Sequence, residues 1–142
     1  DRRSAFAHLH GVAALAALLA LRRGEDVELS FAAGLLHDLS TYESGTPDDH
    51  ASRSARRARE ILSRLGDFRP AEIKAVCTAI ARHSDKATAH DAFSELLKDA
   101  DVLEHALSNP LEARLEGQAP RWEALRRELA LAALPAVACD RG

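Results

Sequence analysis

Five helix-periodic segments of this sequence carry a histidine or an aspartate on or beside the side that their apolar residues mark as inward. Any fold must therefore reconcile those groups with an apolar core. In the first segment His8, Val12, Leu15 and Leu19 follow one inward stripe, whereas His10 lines up with Ala14, Ala17 and Leu21. His37 and Asp38 close the apolar run "AGLLHDLS" at residues 33–40. His50 shares a face with Ser54, Ala58, Ile61 and Leu65, and His83 follows Ile73, Val76 and Ile80 at helical spacing. Asp101 lies one turn from Leu97, among Phe93, Ala100 and Leu103.

The intervals between these residues predict seven helices and no strand. Gly24 ends a first helix over 3–22, and a second spans 27–38. The stretch "LSTYESGTPD" at 39–48 reads as a loop, because it holds Gly, Pro and Ser. Asp48 is the expected N-cap of a third helix over 49–65, with Gly66 just beyond its end. Pro70 suits the first turn of a fourth helix, 70–82, and a polar loop then leads to a fifth over 92–107, closed by "SNP". A short sixth helix follows, and Pro120 opens a seventh near 121–133. Ala, Leu, Glu and Arg are abundant while aromatic residues make up 4%, which favours helix over sheet. The expectation is a single all-α domain over 1–142, with the motif-bearing core at 5–108 and C-terminal helices at 110–134.

Charge and cysteine content narrow the function classes. A formal net charge of -3 gives no global attraction to nucleic acid or to anionic membranes. The arginines of the third helix are interleaved with Glu60 and lack an aromatic platform, so a solvated face describes them better than a nucleic-acid patch. Cys77 and Cys139 form no CxxC pair, which indicates neither a disulfide scaffold nor a thiolate zinc site and is compatible with the cytoplasm. The apolar run at 12–21 is about half the roughly 20 residues of a membrane span, and no A-x-A-like cleavage site follows it. The chain has no methionine, which points to a trimmed or processed start.

Burying His8, His37, Asp38, His50, His83 and Asp101 without compensation would be prohibitive. A divalent cation resolves the difficulty: it offsets the carboxylates and takes lone pairs from neutral imidazoles and Asp oxygens. The N/O donor set without thiolate fits Fe, Mn, Zn, Mg, Co or Ni, one or two per chain.

In order and context these residues resemble the H…HD…H…H…D signature of the HD-domain metal-dependent phosphohydrolases. "HLHGVAALA" is similar to that family's first-helix segment and "AGLLHDLS" to its HD helix. "AIARHSDK" resembles the segment bearing a later histidine, and "LLKDADVLEHAL" the closing aspartate helix. The resemblance implies an HD-like bundle of six to seven helices around a buried metal centre and an activity on phosphate esters. It implies His8, His37, Asp38 and Asp101 as ligands of a shared metal. His50 and His83 become ligands of a second metal bridged by Asp38, or substrate contacts where one metal binds. Asp38, His50 and His83 are thus the expected catalytic groups, acting through in-line attack of an activated water on phosphorus.

Lys86 and Arg82, flanking His83, and Arg53 are the candidate phosphate-binding cations, with Lys98 a weaker one; plain solvation is the competing account of each. Tyr42 and Glu43 are candidate specificity residues, while His90 and His105 match no ligand pattern. The expected partner is a small phosphorylated substrate such as a nucleotide, with no nucleic acid and no membrane, and a homodimer is compatible with the chain. Two alternatives accompany this reading: a dinuclear-iron oxygenase of the same fold, and a noncatalytic nucleotide-binding regulatory module.

Overall fold

The computed structural model describes residues 2–46, 48–109 and 118–131, and among them it contains seven helices and no strand. These are α1 (Arg2–Arg23), α2 (Val27–Leu36), α3 (Leu39–Ser44), α4 (His50–Leu65), α5 (Pro70–Arg82), α6 (Ala92–Ser108) and α7 (Ala119–Leu129). The short helix expected after residue 110 and the end of the expected 121–133 helix lie outside the described residues.

The boundaries follow from local chemistry. Asp26 caps α2 by accepting from the Leu29 N–H at 2.9 Å, and Asp91 does the same for α6 from Ser94. Two expectations are corrected. Residues 39–44, expected as loop, form α3, because Gly45 supplies the left-handed residue that ends it and Ser40 anchors it to α4 through Ser54. The cap of α4 is Asp49 rather than Asp48; its φ of 47° places it in the left-handed region, with no side-chain cap bond.

Most of the packing is α1 against α2 and α6, and α4 against α5, with α2 reaching α4, α5 and α6. Val12, Ala16 and Leu19 of α1 join Val76 and Ile80 of α5 and Leu97 and Leu103 of α6 in one core. α7 closes one side with Trp122 and Leu125. The inward stripe of α4 is Ala51, Ser54, Ala55, Ala58 and Leu62, whereas Leu65, expected on it, is exposed; the stripe follows the helix's true drift.

α1 is long and apolar enough to cross a membrane by length and composition alone. The expectation counted only the uninterrupted apolar run, but the helix extends well past it. In the fold this helix buries Val12, Ala13, Ala16, Leu19 and Ala20 against its neighbours.

The α1–α2 contact is unusually close. A Cβ on Gly34 would lie 2.5 Å from Ala13 Cα and 2.7 Å from its nitrogen, so only glycine lets the two backbones approach. That approach brings the His8 end of α1 beside the His37 end of α2.

Candidate metal centre

Five elements deliver the ionisable residues to one place. α1 carries His8, the α2–α3 junction carries His37 and Asp38, α4 opens with His50, His83 follows α5, and Asp101 lies on α6. Ligand atoms of His8, His37 and Asp38 lie within 4.8 Å of one another, as do those of Asp38, His50 and His83. All six residues singled out from the sequence are therefore brought together.

Asp38 belongs to both groups and divides its oxygens between them. Oδ2 faces His37 Nε2 at 3.5 Å and His8 Nε2 at 3.9 Å, while Oδ1 faces His83 Nε2 at 3.2 Å and His50 Nε2 at 3.5 Å. Asp101 joins the first group, its Oδ1 standing 3.7 Å from both His8 Nε2 and His37 Nε2.

Proton placement decides what these contacts mean. His37 Nδ1 is 2.8 Å from the Gly34 carbonyl oxygen, and His83 Nδ1 is 2.7 Å from that of Ile80. A carbonyl can only accept, so each Nδ1 carries a proton, and in the neutral form of the ring Nε2 turns a lone pair inward. His8 Nδ1 donates likewise to Glu104 Oε2 at 2.7 Å. In that form bare nitrogens confront carboxylate oxygens with no hydrogen between them, and Asp38 Oδ1 is fully buried without a hydrogen bond. Such an arrangement of acceptors suits a cation at their centre, and the N/O donor set fits a divalent one.

The two imidazoles of the first group differ in their charge tendency. Burial pushes the His37 imidazole down to about 4, so the ring stays neutral and able to act as a ligand. Burial alone would lower the His8 imidazole as well, but the Glu104 bond and the Asp101 and Asp38 carboxylates outweigh it and raise the value. In effect the carboxylates draw positive charge to the spot His8 faces. Burial opposes ionisation of Asp101, yet the Lys86 ammonium holds its carboxyl well below the usual range.

Lys86 lies at the centre, with Nζ 2.6 Å from Asp101 Oδ2 and 2.5 Å from the His83 carbonyl oxygen. The other candidate cations are engaged elsewhere. Arg82 bonds Asp91 at 2.7 Å, and Arg53 bonds the Asp48 carbonyl and Ser44 Oγ. Lys98, expected as a surface or phosphate-facing residue, is fully buried and donates to Thr88 O, His90 Nδ1 and Glu95, so it cross-links the 84–91 loop. Glu43 pairs with Arg57 at 3.0 Å.

Sequence reasoning missed Glu104. It is buried, its Oε1 accepts from Ser108 at 2.5 Å, and its stem occupies space that a Cβ on Gly11 would invade at 2.9 Å. The signal was present: Glu104 follows Asp101 by one helical turn within the same apolar surroundings. Carboxylate–histidine pairs of this kind orient metal ligands and raise their basicity.

A family model described as the HD domain matches residues 5–106. Over 121 residues the chain is 34% identical to "Ribonuclease Y" of Thermus thermophilus, a match covering 84% of this chain and 20% of that protein. Over 119 residues it is 30% identical to "Putative phosphohydrolase YueE" of Bacillus subtilis, covering 72% of this chain and 67% of that one. The chain therefore spans about a fifth of the first relative and two thirds of the second. No solved structure matches it. Since the matched span takes in every converging group from His8 to Asp101, the chain belongs to the HD-domain superfamily of metal-dependent phosphohydrolases.

Proposed function

We propose that this chain hydrolyses a small phosphate ester, such as a nucleotide, at a divalent metal centre. His8, His37, Asp38 and Asp101 would hold one ion, and His50 and His83, together with Asp38, would hold a second. The observation that carries the reading is the division of the two Asp38 oxygens between two sets of imidazoles whose Nε2 atoms turn inward. A divalent ion bound there supplies a Lewis acid for a phosphoryl oxygen and lowers the pKa of water toward neutrality.

The protein groups have distinct tasks. Gly34 O, Ile80 O and Glu104 each hold a proton on an Nδ1 and so keep the opposite nitrogen available as a ligand. Lys86 spends two of its three donors on Asp101 and the His83 carbonyl, which leaves one N–H for a phosphoryl oxygen. Arg53 and Arg82 have other partners and receive no role in this reading.

Elemental analysis of the purified protein beside Asp38→Ala, followed by a phosphate-release screen over nucleotides and sugar phosphates, tests the reading. Two metals per chain in the wild type, lost in the variant, is the expected result. One metal would reassign His50 and His83 to the substrate, and none under any loading condition would sink the proposal. The 34% identity to a protein named ribonuclease Y favours a second reading, cleavage of an RNA phosphodiester. A short RNA in the same screen separates the two.

A further inference from the structure

The face made by α4 and α5 carries a concentration of positive charge that the metal centre does not use. A cleft of about 280 Å³ lies there, and its lining holds three arginines, Arg56, Arg59 and Arg82, and no carboxylate. Its size is just below the roughly 300–1,000 Å³ of small-molecule sites, which suits a small anion. Ala55 and Ala81 keep the space open, and the Thr78 hydroxyl adds a neutral donor.

The arginines of α4 are unevenly paired. Arg53 bonds the Asp48 carbonyl and Ser44 Oγ, and Arg57 takes both Glu43 and Glu60 at 3.0–3.1 Å. Those two acids line the neighbouring cleft. Arg56 and Arg59 meet no carboxylate among the described residues, although they stand three apart on one helix, where like charges are neighbours. Arg82 has one, Asp91, at 2.7 Å, which engages one of its five donors. Cys77 supplies no counterion, because burial pushes its thiol up against the pull of Arg59. Three guanidiniums less one carboxylate leave this cleft a surplus of two positive charges. Arginines spread over a convex face are simply solvated, but around a shared hollow a divalent anion can meet more than one of them.

We infer that this cleft is a phosphate-binding site separate from the metal centre, and that it takes a single phosphoryl group, either inorganic phosphate or the terminal phosphate of a monoester. The charge of a phosphate monoester near neutrality, about -1.5 to -2, matches the surplus. Guanidinium forks receive phosphate oxygens in pairs, and Thr78 donates to another. The bound anion ties α4, which opens with His50, to α5, which His83 follows. Binding here needs only the arginines and the cleft, whatever reaction the metal centre performs.

Calorimetric titration of the whole chain with inorganic phosphate at constant ionic strength tests the site. The metal-loaded wild type and Asp38→Ala are each compared with the same protein carrying Arg56→Gln and Arg59→Gln. Both arginines are exposed, so the paired change retains the fold, as circular dichroism would verify. The expected result is saturable binding that survives in Asp38→Ala and weakens at least about tenfold when the arginines are replaced, the scale of losing one charge-assisted hydrogen bond. The metal content of the wild type should not change on replacing the arginines. In the wild type those replacements also remove one class of phosphate site, which keeps the test decisive if Asp38→Ala does not fold. Adenosine monophosphate and free adenosine, added to Asp38→Ala so that no ester is consumed, distinguish the sources. Tighter binding of the monophosphate than of inorganic phosphate identifies an ester as the ligand, and equal binding identifies the free anion. Isotherms that the arginine replacements leave untouched overturn the proposal, as does binding of adenosine as tight as that of its monophosphate. So does phosphate binding that is lost altogether in a folded Asp38→Ala.

Discussion

Two sides of α6 bury charge in opposite ways. On one side Glu95 and Asp99 meet Lys98, Arg121 and Arg23 at 2.5–2.8 Å, and Arg23 continues to Glu128 at 2.7 Å. Every acid there faces a cation. On the other side Asp101 has Lys86 for one oxygen, but its second oxygen and both oxygens of Asp38 face imidazole nitrogens at 3.2–3.9 Å. Burial of charge therefore does not distinguish a metal centre from a structural ion-pair network. What distinguishes it is acceptor facing acceptor, a pattern that a protein can maintain only with a cation or a proton between the two.

Substitutions on the two sides should separate cleanly. The largest effect is expected for Asp38→Ala: metal content falls from stoichiometric to near zero by elemental analysis. Burial opposes the ionised Asp38, but His83 and His37 outweigh it, so calorimetric melting of the metal-free protein should fall modestly while the fold is retained. Lys98→Met should do the reverse. It strands Glu95, the Thr88 carbonyl and His90 Nδ1, and denaturant unfolding should show a loss of about 3–5 kcal/mol with metal stoichiometry unchanged. If Lys98→Met costs metal and no stability, the contrast between the two sides is wrong.

Smaller changes sharpen the comparison. Glu104→Gln keeps the shape but weakens the hold on His8 Nδ1, so metal affinity should fall about 10–100-fold by competition with a chelator, while the fold is retained by circular dichroism. The smallest effect concerns acid. Burial opposes the ionised form of Glu95, but Lys98 and Arg121 outweigh it and hold the carboxyl at about 2 in the fold, against 4.5 ordinarily. A depressed folded value stabilises above pH 4.5, and that contribution disappears as pH falls from 4.5 toward 2. Glu95→Gln should therefore flatten acid unfolding across that window; an unchanged acid limb would show that the pairs around Glu95 are not coupled to folding.

The six converging residues were legible because each breaks an otherwise apolar helical stripe, and helical period survives in sequence whatever the tertiary partners are. Ile73, Val76, Ile80 and His83 are all buried, as the spacing requires. What the sequence hid depends on partners distant along the chain. α3 is six residues long, too short to declare itself by periodicity, and forms because Ser54 lies across from Ser40. Lys98 looked like a surface cation because nothing local reveals that Thr88 and His90 fold back over it. Glu104 was overlooked although the reasoning that found Asp101 applies to it unchanged.

The contact at Gly34 bears on how the metal ligands are spaced. His8 and His37 are held 3.3 Å apart, nitrogen to nitrogen, beside a place where two main chains touch rather than by flexible side chains reaching across a gap. A larger residue at Gly34 would push the two main chains apart and carry His8 and His37 with them. The spacing of the first ligand pair is thus set by main-chain packing as much as by side-chain rotamers, so Gly34 tunes the metal centre without touching it.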